Sequence, residues 1–265
     1  MVTAVAALVV LFFALPLAGL LRRASWSTLW VDLTAPEALQ ALRLSLVCSL
    51  TATTLSVVLG LPLAWTLART PFPGKALVRA LVLLPLVLPP VVGGVALLAA
   101  FSKRGLVGGW LFDVTTTGGA LSWLPGDGVQ FTFSTAGVVL AETFVALPFF
   151  VVTVEAALRS ADQRFDEVAA TLGAGRWFSF RHVTFRLIAP SVVAGAVLAW
   201  ARALGEFGAT ITFAGNIEGR TGTLPLAVYL LLDSRPDTAV ALSLVLLAVS
   251  LSVLVALRDR WLERA

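Results

Sequence analysis

Asp166-Glu167-Val168-Ala169-Ala170-Thr171-Leu172-Gly173 is a charged stretch that leads into an apolar run ending in Ala201-Arg202-Ala203-Leu204-Gly205-Glu206-Phe207-Gly208-Ala209-Thr210. The first part is too polar for a bilayer interior and the second too apolar for water, so together they decide the class of the chain. Phe165, Val168, Ala169 and Leu172 fall at i, i+3, i+4 and i+7, one apolar stripe on a short helix whose other face carries Asp162, Asp166 and Glu167. Gly173-Ala174-Gly175 stops that helix. In the segment that follows, Trp177, Phe180 and Thr184 share a face, while Arg176, Arg181 and Arg186 supply positive charge. The pattern predicts a helix-turn-helix bracket on a membrane surface. Two readings fit it. One is an interfacial loop whose aromatics sit at the headgroups and whose arginines mark the cytoplasmic side. The other is a docking element: a small Ala169 lets a partner approach the backbone, and a glycine turn fixes the angle between two short helices.

Working outward, 58% hydrophobic and 13% charged residues over 265 positions exclude an ordinary soluble protein and indicate a polytopic, all-α membrane protein. The net charge of +4 is spread along loops between apolar runs, which argues against a nucleic-acid partner. A single cysteine, Cys48, excludes a disulfide within the chain, and a single histidine, His182, builds neither a metal site nor a nucleophilic triad. The only Gly-Lys pair is Gly74-Lys75, with Arg69 where the first glycine of a phosphate loop should stand, so the chain does not cradle ATP itself. No catalytic residue or metal ligand is expected.

Six apolar runs are expected to span the bilayer: 4–21, 44–68, 80–101, 134–158, 187–213 and 238–257, in one transmembrane domain covering 1–265. The first is read as a span rather than a signal peptide, because no Lys or Arg precedes it and Arg22-Arg23 follows it. The third contains Pro85, Pro89, Pro90, Gly93 and Gly94. Broken helices of that kind line interior cavities, although a kinked packing helix with small residues fits as well. Between the third and fourth runs, Gly126-Asp127-Gly128 reads as a tight turn. The fourth carries Glu142, either a functional acid or one that reaches the headgroups. With the bracket (about 159–186) cytoplasmic, that side also holds Arg69, Lys75, Arg79, Arg258, Arg260 and Arg264. The opposite side holds Arg22, Arg23, Arg43, Lys103, Arg104, Arg220 and Arg235, and the balance puts both termini inside.

In the fifth run, Arg202 and Glu206 lie four apart on one helix face, where each charge costs roughly 2.5–3.5 kcal/mol to insert. They are either a mutually neutralising structural pair or a charge pair beside a pore that admits an anion. Gly205 and Gly208 flank Glu206 and let the backbone loosen or approach a neighbour, while Thr210 and Thr212 offer hydroxyl donors suited to an oxyanion.

Glu167-Val168-Ala169, Gly173 and Val183 resemble the cytoplasmic coupling motif of ABC-importer permeases, with Val168 in place of an alanine and Phe185-Arg186 where Leu-Pro is usual. Thr171-Leu172-Gly173-Ala174-Gly175-Arg176-Trp177, the run Ala201 to Phe213, Gly222-Thr223-Leu224-Pro225, Phe72-Pro73-Gly74-Lys75 and Leu84-Pro85-Leu86-Val87-Leu88-Pro89-Pro90 are similar to the molybdate branch of the sulfate/molybdate/tungstate permeases. The resemblance implies a type I ABC-importer permease in a bacterial or archaeal inner membrane, importing molybdate as a homodimer. It further implies two ABC ATPase subunits that carry ATP and Mg, an extracytoplasmic oxyanion-binding protein, and no cofactor in this chain. By the same resemblance, Glu167, Val168, Ala169, Leu172 and Gly173 couple to the ATPase, and Pro89 and Pro90 join Arg202, Gly205, Glu206, Gly208, Thr210 and Thr212 along the path. Sulfate, thiosulfate or tungstate permeases share this architecture, and a proton-coupled carrier working through Arg202, Glu206 and Glu142 is the rival from another class.

Overall fold

The computed structural model describes residues 2–116, 130–162 and 164–262, with side chains as far as Val255. Every regular element among the described residues is helical. Among the described residues, five helices can cross a membrane by length and composition: Thr3–Arg23, Pro36–Arg69, Thr135–Ser160, Arg176–Leu204 and Pro236–Val255. The contacts fall into two compact units, Met1–Ser45 with Gly222–Ala265, and Leu46–Thr221.

The first unit holds α1 (Val2–Arg23), α2 (Leu29–Leu33), the start of α3 (Pro36–Arg69), α12 (Leu224–Ser234) and α13 (Pro236–Leu262). None of the apolar window of α1 is buried, as suits a helix whose solvent is lipid. Ala38, Leu224 and Leu242 form the small core, with Leu33, Leu42 and Leu231 against it. Polar groups close the unit. Ser45 Oγ accepts the Leu224 N–H at 2.6 Å, Thr238 donates to Asp32 at 2.9 Å, and Arg235 pairs with Glu37 at 3.0 Å. α12 falls in the interval 214–237, between the expected fifth and sixth spans.

The second unit contains the rest of α3, then α4 (Lys75–Val87), α5 (Pro90–Phe101), α6 (Gly108–Thr115), α7 (Thr135–Ser160), α8 (Arg164–Thr171), α9 (Arg176–Ser179), a π-helical turn (Phe180–Thr184), α10 (Phe185–Leu204) and α11 (Gly208–Phe213). α7 is its centre: Ser134 caps it by accepting the Gly137 N–H at 3.1 Å, and thirteen of its residues are buried. Alanines make up much of the core around it, Ala52, Ala64, Ala146, Ala199 and Ala203, so helix axes come close without a large apolar payload, as in membrane bundles. Phe150 fills the slot left between Gly60 and Gly195.

Two expected runs are broken. The run 80–101 is α4 and α5, because Leu88 and Pro89 each precede a proline and are forced into extended backbone (ψ 132° and 131°), while the prolines remove donors needed to continue the helix. The run 187–213 is α10 and α11, interrupted at residues 205–207. Conversely, no break separates the bracket from the fifth run, since Arg176–Leu204 is one continuous helical stretch of 29 residues. The turn expected at Gly126-Asp127-Gly128 lies outside the described residues.

Candidate functional site

Two places carry polar chemistry that a membrane bundle does not need for packing. The first is the bracket. Asp162 opens α8 by accepting the Arg164 N–H at 3.0 Å. A pair of bonds closes it, from Gly173 N–H to Ala170 O and from Ala174 N–H to Ala169 O, both 3.0 Å, with Gly173 at φ 83°. This is a Schellman cap, and it requires the left-handed backbone that glycine adopts without strain. The stripe inferred from periodicity is present but uncovered: Phe165, Val168 and Leu172 are 55%, 57% and 83% exposed. Glu167 is exposed and Ala169 half-buried. Asp166 departs from expectation. It does not share the outer face with Glu167 but turns inward, where Ser179 Oγ and Thr184 Oγ1 each donate to its Oδ1 at 2.7 Å.

Behind the bracket, Phe180 meets Trp65 of α3 edge to face at 5.0 Å, and the Arg69 guanidinium lies 6.0 Å from the Trp65 ring while donating to the Ala161 carbonyl at 3.4 Å. The buried Glu155 accepts from Arg79 of α4 and from Arg159 on its own helix. Trp177 is 71% exposed, and His182 is exposed and stacked on Phe178.

The second place is the interruption between α10 and α11. Glu206 Oε2 pairs with Arg202 Nη1 at 2.6 Å, and its Oε1 accepts the Ala209 N–H at 2.7 Å. One carboxylate thus neutralises the arginine at the end of one helix and satisfies a free donor at the start of the next. Glu206 is 1% exposed and the Arg202 side chain 27%, so the acid is sealed while the cation keeps access to one side. α5 and α11 come close at two glycines: a Cβ on Gly208 would stand 2.7 Å from Pro90 Cβ, and one on Gly94 would stand 2.6 Å from Thr212 Cβ. The two helix interruptions are therefore neighbours. Gly205 makes no such approach; it ends α10, and a Cβ there would meet only Ala201 O, at 3.5 Å.

The two threonines differ. Thr212 donates to the Gly208 carbonyl at 2.9 Å, whereas the wholly buried Thr210 hydroxyl has no partner. Pro89 and Pro90 are exposed. Glu142 does not reach the headgroups. It is 1% exposed in α7, one of its oxygens is unpartnered, and it lies within electrostatic range of Glu206 and Cys48. Among the described residues no cluster of His, Cys, Asp and Glu could hold a metal ion.

Residues 56–265 match the family described as binding-protein-dependent transport system inner membrane component. The chain belongs to that family. The permease is 46% identical over 251 residues to the molybdenum transport system permease protein of Mycobacterium tuberculosis, covering 95% of this chain and 90% of the relative. It is 42% identical to the Escherichia coli protein of the same name (88% and 96% covered) and 37% identical to the Escherichia coli sulfate transport system permease protein (93% and 86%). Its fold matches that of a chain of the bacterial alginate ABC transporter, crystallised with an alginate-bound periplasmic protein, at a TM-score of 0.73 and 19% identity over 97% of this chain and 91% of that one. The permease is accordingly an all-α, multi-pass inner-membrane transport subunit and not an enzyme.

Periodicity does not reveal three features of the permease site: the inward turn of Asp166, the Arg79–Glu155–Arg159 cluster, and the sealing of Glu142. Glu155 and Arg159 at i, i+4 were the only local signal for any of them.

Proposed function

We propose that this permease forms the membrane path of an ATP-driven molybdate importer. Two copies of the chain assemble with two ABC ATPases that bind MgATP and with an extracytoplasmic oxyanion-binding protein. The observation that carries the substrate is the ordering of identities along nearly the whole chain: 46% and 42% to molybdenum permeases against 37% to a sulfate permease. The geometry supports the coupling. An apolar stripe left bare beside charged groups, on a helix end fixed by its cap, is suited to a groove in a partner protein. Phe165, Val168 and Leu172 supply that stripe, and Gly173 sets its exit angle.

The path is assigned to the paired interruptions at Leu88-Pro89 and 205–207. Irregular backbone at membrane depth is stable only where protein or a watered cavity satisfies it. Arg202, partly accessible, attracts a doubly charged anion, and Glu206 keeps that attraction from becoming a trap. Closure of the ATPases moves the bracket and with it the helix that ends at this pair.

The test is reconstitution of the permease in proteoliposomes with the cognate ATPase and binding protein. Molybdate uptake is expected to require ATP and both partners, with unlabelled molybdate competing better than sulfate. Sulfate competing best would transfer the assignment to the sulfate branch. Uptake by the lone chain under a pH gradient would refute the coupled mechanism.

A further inference from the structure

Many helical threonines in this protein return their hydroxyls to their own backbone: Thr51, Thr54, Thr66, Thr143 and Thr153 each donate to the carbonyl four residues back at 2.7 or 2.8 Å. Thr184, like Thr238 with Asp32, instead donates to an aspartate on another element. Its hydroxyl crosses to Asp166 Oδ1, 18 residues earlier in the chain, and Ser179 joins it on the same oxygen. Both donors are buried, at 1% and 8% exposure, whereas α8 has no buried residue at all. Among the described residues, Asp166 is the only α8 side chain that hydrogen-bonds outside the helix.

The place where Asp166 attaches matters. Ser179 and Thr184 bracket the π-helical turn Phe180–Thr184, closed by the Phe185 N–H to Phe180 O bond. A π turn is a local defect in an otherwise regular ladder and a natural point of give. Beyond it α10 continues without interruption to Leu204 and the Arg202–Glu206 pair. From Arg176 to Leu204 the helical stretch is 29 residues, about 43 Å at 1.5 Å per residue. Without a tether, a push on the exposed α8 would be absorbed in the glycine-containing turn 173–175 or in the π turn. The Asp166 carboxylate spans both, since it grips the far end of the compliant segment from α8.

We infer that Asp166 is a positioning residue that locks α8 to the start of α10, so that displacement of the exposed helix is passed to the Arg202–Glu206 break instead of being lost in the turn. The inference rests on the reading of the chain as an ATPase-driven permease. It assigns Asp166, Ser179 and Thr184 a role in force transfer that the exposed residues of α8 do not have.

The experiment measures ATP hydrolysed per molybdate imported by the full complex in proteoliposomes. The variants are Asp166→Ala, Asp166→Asn and the double Ser179→Ala/Thr184→Val. Asparagine keeps an oxygen with two lone pairs, so D166N retains the wild-type ratio. D166A and the double variant raise the ratio by about fivefold or more, the lower end of typical coupling between sites. Should D166A fail to reach the membrane, the double variant, which leaves the acid and the backbone in place, decides. Wild-type ratios in both D166A and the double variant, or in the double variant alone when D166A is absent, overturn the inference, as does D166N behaving like D166A. If the wild-type complex itself fails to import molybdate with ATP, the parent assignment fails, a result distinct from any of these.

Discussion

Replacing Gly208 by alanine adds one methyl group at the point where α11 and α5 touch. The new Cβ would lie 2.7 Å from Pro90 Cβ, 3.3 Å from the Val91 nitrogen and 3.4 Å from the Pro90 carbonyl carbon. Carbon pairs settle at about 3.5–4.0 Å, so the helices must part by roughly 1 Å. The neighbour is a ring carbon on backbone held by two successive prolines, and it cannot swing aside as a long side chain would. Overpacking of this kind costs about 1–3 kcal/mol. For a chain of this size that corresponds to a melting shift of about 2–12 °C. The matched control is Gly205→Ala, only three residues away, where the nearest atom is Ala201 O at 3.5 Å and no helix is approached. Thermal unfolding of the purified permease in one detergent, followed by tryptophan fluorescence, should show G208A melting well below wild type and G205A near it. Equal melting of G208A and wild type would refute the close approach of α5 and α11. A larger loss in G205A would place the tight contact at the wrong glycine.

Gly173 has no atom within 4 Å of a built Cβ but sits at φ 83°, so backbone strain and not bulk decides its substitutions. Ala and Leu should each cost about 1–2 kcal/mol locally and lower ATPase binding to the permease alike, while Asn is tolerated better, as a titration with the ATPase would show. Arg202→Ala leaves Glu206 buried without its cation and should cost about 3–5 kcal/mol, whereas the double Arg202→Ala/Glu206→Ala should cost less than the sum of the singles in a denaturant series. Because Cys48 is wholly buried, Trp177→Cys gives a single accessible thiol, and an impermeant maleimide should label it from the cytosolic side of membrane vesicles only.

The fold is legible in the sequence wherever one residue type dominates its own surroundings. Long apolar runs give α1, α3, α7 and α13, and Ser134 caps the start of α7. The third and fifth runs mislead, because hydropathy is blind to backbone direction. Residues 80–101 and 187–213 are each apolar enough to read as one helix, and only the local chemistry of Leu88-Pro89-Pro90 and Gly205-Glu206-Phe207 shows where each divides. The prolines were sufficient grounds for the first division. The second depends on Glu206 capping the next helix, a use of a carboxylate that the i, i+4 spacing to Arg202 conceals.

The bracket separates what spacing can reveal from what it cannot. Its exposed half was readable, since a stripe at i, i+3, i+4 and i+7 and a terminal glycine are local features, and both follow from the geometry of a single helix. Its inward half was not. On a helical wheel Asp166 is one more acid beside Glu167, and nothing within α8 distinguishes them. The difference comes from Ser179 and Thr184, which reach Asp166 only because the chain turns back at Gly173-Ala174-Gly175 and the π turn rotates Thr184 toward it. Two adjacent acids therefore take opposite roles, Glu167 facing outward and Asp166 holding the bracket to the helix behind it. A substitution series that neutralises each in turn should separate loss of ATPase binding, at Glu167, from loss of coupling with binding intact, at Asp166.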